Sequence, residues 1–142
     1  MALTVPPVGV GDDVLATYAA AVKAAIDDLY TVQVDTTVGS AAANFSSPVA
    51  TVRTMLGGLL VFFTLQIVTD NALTAASGNI TDTTCFTLDT AYRPAEAYGC
   101  AWGSNATGFA VMNTSGALVL WTVSDTVAAG STLRISGTWL RA

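Results

Sequence analysis

The sequence predicts a mainly β protein: an antiparallel β-sandwich or jelly-roll-like domain preceded by an extended arm and one short N-terminal helix. Three observations carry that prediction. From residue 48 onward, segments of alternating polarity are separated by clusters of Gly, Asn, Asp and Ser, the pattern of strands and tight turns. Only residues 12–30 combine helical apolar spacing with an absence of Gly and Pro. The opening MALTVPPVGVG carries Pro6-Pro7 and the Gly9, Gly11 spacing, which resist a helix.

Taken in order, residues 1–11 read as an extended apolar arm. Its Val5, Pro6, Pro7, Val8 and Val10 favour docking onto a neighbouring protein, for example as a strand added to that protein's sheet. Residues 12–30 read as a helix whose first turn Asp12 or Asp13 can cap. Leu15, Tyr18, Val22, Ala25 and Leu29 follow a 3-4-3-4 spacing, widened by Val14 and Ile26. Two readings fit that stripe: a seam for self-association, or an amphipathic helix lying on the protein's own sheet. Residues 31–47 hold the short alternating TVQVD and then small, polar TTVGSAAANFSSP, which reads as a linker.

Residues 48–142 form the β domain. Strands at Val49–Met55 and Leu59–Thr69 flank the turn glycines Gly57-Gly58. Leu59, Val61, Phe63, Leu65 and Ile67 share one wholly apolar face. The opposite face, Leu60, Phe62, Thr64, Gln66 and Val68, is apolar at one end and is a candidate subunit contact. Further strands are expected near Thr81–Leu88, at Thr107–Met112 and Ala117–Val123 around the turn Asn113–Gly116, and at Thr132–Arg141. In the last, Leu133, Ile135 and Trp139 point inward.

Composition bounds the function. Charged residues make up 11% and apolar residues 52%, with mean hydropathy +0.56. A small domain with so few charges is best explained by a surface covered by other protein, although abundant Ala and Val also raise the score. A net charge of −5 with no basic run excludes a nucleic-acid footprint. The apolar run Met55–Val68 is shorter than the roughly 20 residues a membrane helix needs.

The chain has no histidine, which removes the commonest general base and metal ligand. Cys85 and Cys100 therefore lack a base for thiol chemistry, and they are expected as free thiols rather than a disulfide. No carboxylate pair stands at a telling spacing. We expect no enzyme, metal or cofactor. Carbohydrate binding is the remaining small-molecule reading. Trp121 and Trp139 lie in apolar alternation and suit a core. Trp102, at a strand end before Gly103-Ser104, and Tyr98 are the candidate ligand contacts.

The segment AYRPAEAYGCAW, Ala91 to Trp102, holds the only glutamate of the chain. With Tyr92-Arg93-Pro94 it resembles the loop between two strands in tailed-bacteriophage fibre, collar and appendage head domains. Gly108 to Val111, Gly116 to Leu120 and Ile135 to Trp139 match the short strands of those domains. The start VGVGDDVLATYAAAVKAAIDDL is similar to that of small phage virion proteins. One departure is Thr90-Ala91, where a Pro-Gly-like lead is common.

The resemblance implies a non-enzymatic virion component, assembled in the bacterial host cytoplasm and trimeric about a threefold axis. Its partners would be copies of itself and other virion proteins such as the major capsid protein. Neither nucleic acid nor membrane is implied; a host glycan would be a partner only in the alternative tail-module reading. In that setting residues 1–11 anchor the chain to the virion, the helix seam trimerises, and Arg93 is a candidate subunit contact. A helix of about 18 residues spans only about 27 Å. That length favours a low knob decorating the capsid, with a receptor- or carbohydrate-binding tail module as the alternative.

Overall fold

Every second side chain of the strand Leu60–Thr69 is buried, and that alternation organises the molecule. The computed structural model describes residues 14–142, with side chains from Ala16 onward. The elements are helix α1 (Val14–Tyr30) and strands β1 (Gln33–Asp35), β2 (Gly39–Ala41), β3 (Phe45–Met55), β4 (Leu60–Thr69), β5 (Asn79–Leu88), β6 (Tyr98–Gly103), β7 (Thr107–Met112), β8 (Ala117–Val123) and β9 (Thr132–Leu140). A single 3-10 turn, Thr90–Tyr92, follows β5.

The strands form one antiparallel nine-stranded sheet in the order β1-β3-β4-β9-β6-β7-β8-β5-β2. Its outermost strands, β1 and β2, are consecutive in sequence and joined by residues 36–38 alone. The sheet has therefore curled until its two edges are neighbours, giving the sandwich-like β domain that the sequence predicts. Curling also limits the exposed edge that a flat sheet would leave open to aggregation.

The enclosed face is apolar. Val61, Phe63, Leu65 and Ile67 of β4 meet Leu133, Ile135 and Trp139 of β9, with Leu118 and Leu120 of β8 and Phe86 of β5 opposite. Phe63 sits between Phe86 and Trp139, with ring centroids 5.9 and 5.7 Å away. Each large side chain buried here contributes roughly 1.5–3 kcal/mol. Cys85 and Cys100 are both free and buried. Burial pushes their thiols up, to about 12 and about 11.

The bounds of β7 and β8 are those expected, and the turn between them shows why. Asn113 Oδ1 accepts hydrogen bonds from the N–H groups of Ser115 (3.1 Å) and Ala117 (3.0 Å), and Gly116 supplies a φ of 87°.

Four details differ from expectation. Residues 31–47 contribute β1, β2 and the start of β3, paired to β3, β5 and β4 respectively, so this stretch belongs to the sheet rather than to a linker. β3 begins at Phe45, upstream of Pro48, because a bulge between Ser46 and Val49 takes the proline out of the ladder. Leu59 is exposed in the β3–β4 turn and does not extend the core face of β4.

The fourth concerns α1. Among the described residues no strand packs along its length, and Tyr18, Ile26 and Leu29 are exposed. Its C-terminal end is tied to the β3–β4 turn, where Leu56 N–H donates to the Leu29 carbonyl at 3.1 Å. Thr31 Oγ1 donates to the Asp27 carbonyl at 2.8 Å and satisfies one of the last acceptors of the helix. The helix thus projects from the sheet instead of lying on it.

Candidate functional site

The Tyr92-Arg93-Pro94 loop is held to its own fold by several hydrogen bonds. Tyr92 donates its hydroxyl to Asp35 of β1 at 2.5 Å, and its carbonyl accepts from Trp139 Nε1 at 2.8 Å. Arg93 Nε donates to the Leu88 carbonyl at 3.2 Å, and the Arg93 carbonyl accepts from Ala142 N–H at 3.0 Å. Pro94 is buried and bridges to Arg141. One corner therefore fastens β1, the end of β5 and the end of β9.

Its electrostatics follow from the contacts. The Tyr92 hydroxyl, and after it the Thr37 N–H, hold the Asp35 carboxyl below its ordinary value. The same hydrogen bond, with burial adding to it, raises the Tyr92 phenol. Arg93 Nε satisfies a carbonyl of its own chain.

The expected ligand contacts are rearranged. Trp102 is only 3% exposed, packed over Gly108, where an added Cβ would come within 2.4 Å of the indole. It shares strand parity with buried Cys100, so it points inward and is no surface contact. Its Nε1 has no hydrogen-bond partner. Tyr98 is exposed and lines a groove of about 260 Å³ with Ala95, Glu96 and Leu140. The two residues are not brought together on one surface.

The exposed tryptophan is Trp121. Phe109 pairs with Thr122 and Ala110 with Leu120, which leaves Trp121 as the extra residue of a bulge in β8. The β5–β8 pairing also shifts register between Asn79 and Thr83, beside the same point. Trp121 is outward by alternation with buried Leu118 and Leu120, and the bulge turns Thr122 outward beside it. Trp121 and Phe109 are 44% and 43% exposed, with ring centroids 6.4 Å apart. The ring of Phe109 lies over Gly99 of β6, where an added Cβ would meet Cζ at 2.5 Å.

Across β6 from these rings lies a polar surface. Thr51, Thr64, Gln66, Arg134 and Ser136, with Val49, line a groove of about 360 Å³ on strands β3, β4 and β9. The register Thr64–Ser136–Ala101–Phe109 places this groove and the aromatic pair in one cross-sheet row. Between them β6 presents only Gly99, Ala101 and Gly103. The sequence marks Thr64 and Gln66 as part of an outer face but not the row, because β4 is far in the chain from β6, β7 and β9.

The seam residues Tyr18, Val22, Ala25 and Leu29 lie on the projecting helix. Tyr18 and Leu29 are exposed, and Val22 and Ala25 are partly exposed. The side chain of Leu15, and the arm residues Val5, Pro6, Pro7, Val8 and Val10, lie outside the described residues. At the foot of the helix, Leu29, Leu56 and Leu59 line a further groove with Asp28 and Arg141. Among the described residues no group of three or more Cys, Asp or Glu gathers to hold a metal, and no helix is long and apolar enough to cross a membrane.

No protein-family model matches the chain, and no curated protein matches it in sequence. Among solved structures, the receptor binding protein (gp15) of Listeria phage PSA is similar in fold. It has a TM-score of 0.58 and 16% identity, over 90% of this chain and 76% of that one.

Proposed function

We propose that this chain is a non-enzymatic module of a tailed-phage appendage that meets the host surface, working as a trimer with α1 at the axis. The observation that carries the reading is the likeness in fold, over 90% of the chain, to a phage receptor binding protein. The phage-like Tyr92-Arg93-Pro94 corner supports it independently, since the loop occupies a real junction of the fold. The projecting helix supports self-association: exposed Tyr18, Ile26 and Leu29 on one element are costly unless covered.

A second reading, a knob on the capsid surface, is favoured by the shortness of α1, whose 17 residues span about 26 Å. Gold-labelled antibody on purified virions separates the two. Label at the tail tip supports host recognition, label over the capsid supports decoration, and unlabelled particles overturn both. For the trimer, light scattering should give three times the 14.5 kDa chain mass. Leu29→Asp with Ile26→Asp should yield monomers with an intact β domain. A wild-type monomer would refute trimerisation.

A further inference from the structure

The outer face of the sheet combines two surfaces of different chemistry on either side of a bare strand. On one side stand the rings of Trp121 and Phe109, both outward by strand alternation, with the Phe109 ring lying over Gly99. On the other stand Thr64, Gln66, Arg134 and Ser136, and none of these four side chains makes a hydrogen bond within the described residues. Arg134 also has no ion-pair partner among the described residues.

We propose that this face, from Trp121 and Phe109 across Ala101 to Gln66, Arg134 and Ser136, is a binding site for a bacterial surface saccharide. The proposal rests on the reading of the chain as a host-recognition module and names the ligand class of that module. A pyranose has an apolar C–H face and a rim of hydroxyls. It needs a ring to stack on and, within a sugar's reach, donors and acceptors not already engaged.

Both are present. From β9 to β7 is two strand spacings, roughly 10 Å, the reach of a disaccharide lying across β6. Gly99, Ala101 and Gly103 leave that path open. A protein partner would call for a broad apolar centre with a polar rim. Here the apolar part is small, the two rings with half-buried Val111 and Val119 beside them, and across Ala101 it faces an arginine, an amide and hydroxyls. The guanidinium of Arg134 can take two neighbouring hydroxyls in its fork, and the Gln66 amide can both donate and accept.

The test uses the full chain on an array of bacterial surface oligosaccharides, with acrylamide quenching of tryptophan emission in parallel. Wild type should retain at least one saccharide, and that saccharide should protect Trp121, the one exposed indole, from quenching. Trp121→Ala should weaken retention about tenfold or more, a loss near 1.4 kcal/mol. Trp121→Phe should keep most of it, and Arg134→Gln should weaken it severalfold.

Retention by Trp121→Ala equal to wild type overturns the site. So does a blank array from a protein whose antibody labels the tail tip, a result that leaves the recognition reading standing. Unlabelled virions remove that reading whatever the array shows.

Discussion

The segment Ala91–Trp102 and the β7–β8 pair are both rich in aromatic side chains, and they use them in opposite ways. In the first, the Tyr92 hydroxyl, the Tyr92 carbonyl, Arg93 and the Trp139 indole bond to one another's strands, and Trp102 is sealed inside. In the second, Trp121 and Phe109 stand exposed, and across β6 from them Thr64, Gln66, Arg134 and Ser136 have no hydrogen-bond partner among the described residues. Aromatic richness alone does not separate a corner from a recognition face. What separates them is where the hydrogen bonds go.

The comparison breaks most directly at Trp139. It is buried against Phe63 and donates Nε1–H to the Tyr92 carbonyl at 2.8 Å. Trp139→Ala should lower stability by about 3–5 kcal/mol, read as a fall in the urea midpoint at constant slope. A loss under about 1 kcal/mol would mean that the corner does not hold the fold. Trp139→Phe should recover part of the loss and leave the Tyr92 carbonyl without its donor.

A smaller effect is expected at Tyr92, with a defined pH dependence. The folded-state pKa of Asp35 is depressed, with the Tyr92 hydroxyl its first cause. Its contribution is therefore present above the unfolded carboxylate value, about pH 4, and is lost as pH falls through the folded one. Tyr92 is raised above its ordinary value, so the protonated phenol is favoured in the fold, and on the alkaline side the contact holds until pH climbs past about 10. Melting temperatures of wild type and Tyr92→Phe should differ most between about pH 5 and pH 9 and converge in acid. A difference that does not change on acidification would rule out the Asp35 contact as its source.

How far these two regions can be read from sequence follows from strand period and length. β7, β8 and β9 are legible because each alternates over six or more residues and the β7–β8 turn carries Asn113 and Gly116. β1 and β2 are not legible, because three residues carry no period, and only their pairing with β3 and β5 defines them. The start of β3 is hidden by Pro48, which reads as a breaker until the bulge is seen.

Exchanging the roles of Trp102 and Trp121 is the more instructive error. Trp102 alternates with Cys100 and pairs with Gly108, a small residue that makes room for an inward indole. That signal was available. For Trp121, the outward parity relative to Leu118 and Leu120 was also available, but the bulge that also throws Thr122 outward was not, because a bulge is a property of two strands.

The finest distinction between corner and face can be made without touching an aromatic residue. Gly99 lies under the Phe109 ring, and its own φ is not in the left-handed region, so alanine is allowed by the backbone. Its Cβ would come within 2.5 Å of Phe109 Cζ, the far end of an exposed side chain that can rotate away. Swinging that ring out costs little, and alanine restricts the unfolded chain more than glycine does. Gly99→Ala should therefore leave stability within about 0.5 kcal/mol of wild type. The near-ultraviolet circular dichroism from the Phe109–Trp121 pair should change, and saccharide retention should fall. If the ring pair were packed for the fold rather than held out for a ligand, the same substitution would cost about 1–3 kcal/mol, as overpacking a core does. One denaturation curve and one binding curve on this variant therefore decide whether the face is built for contact or merely left uncovered.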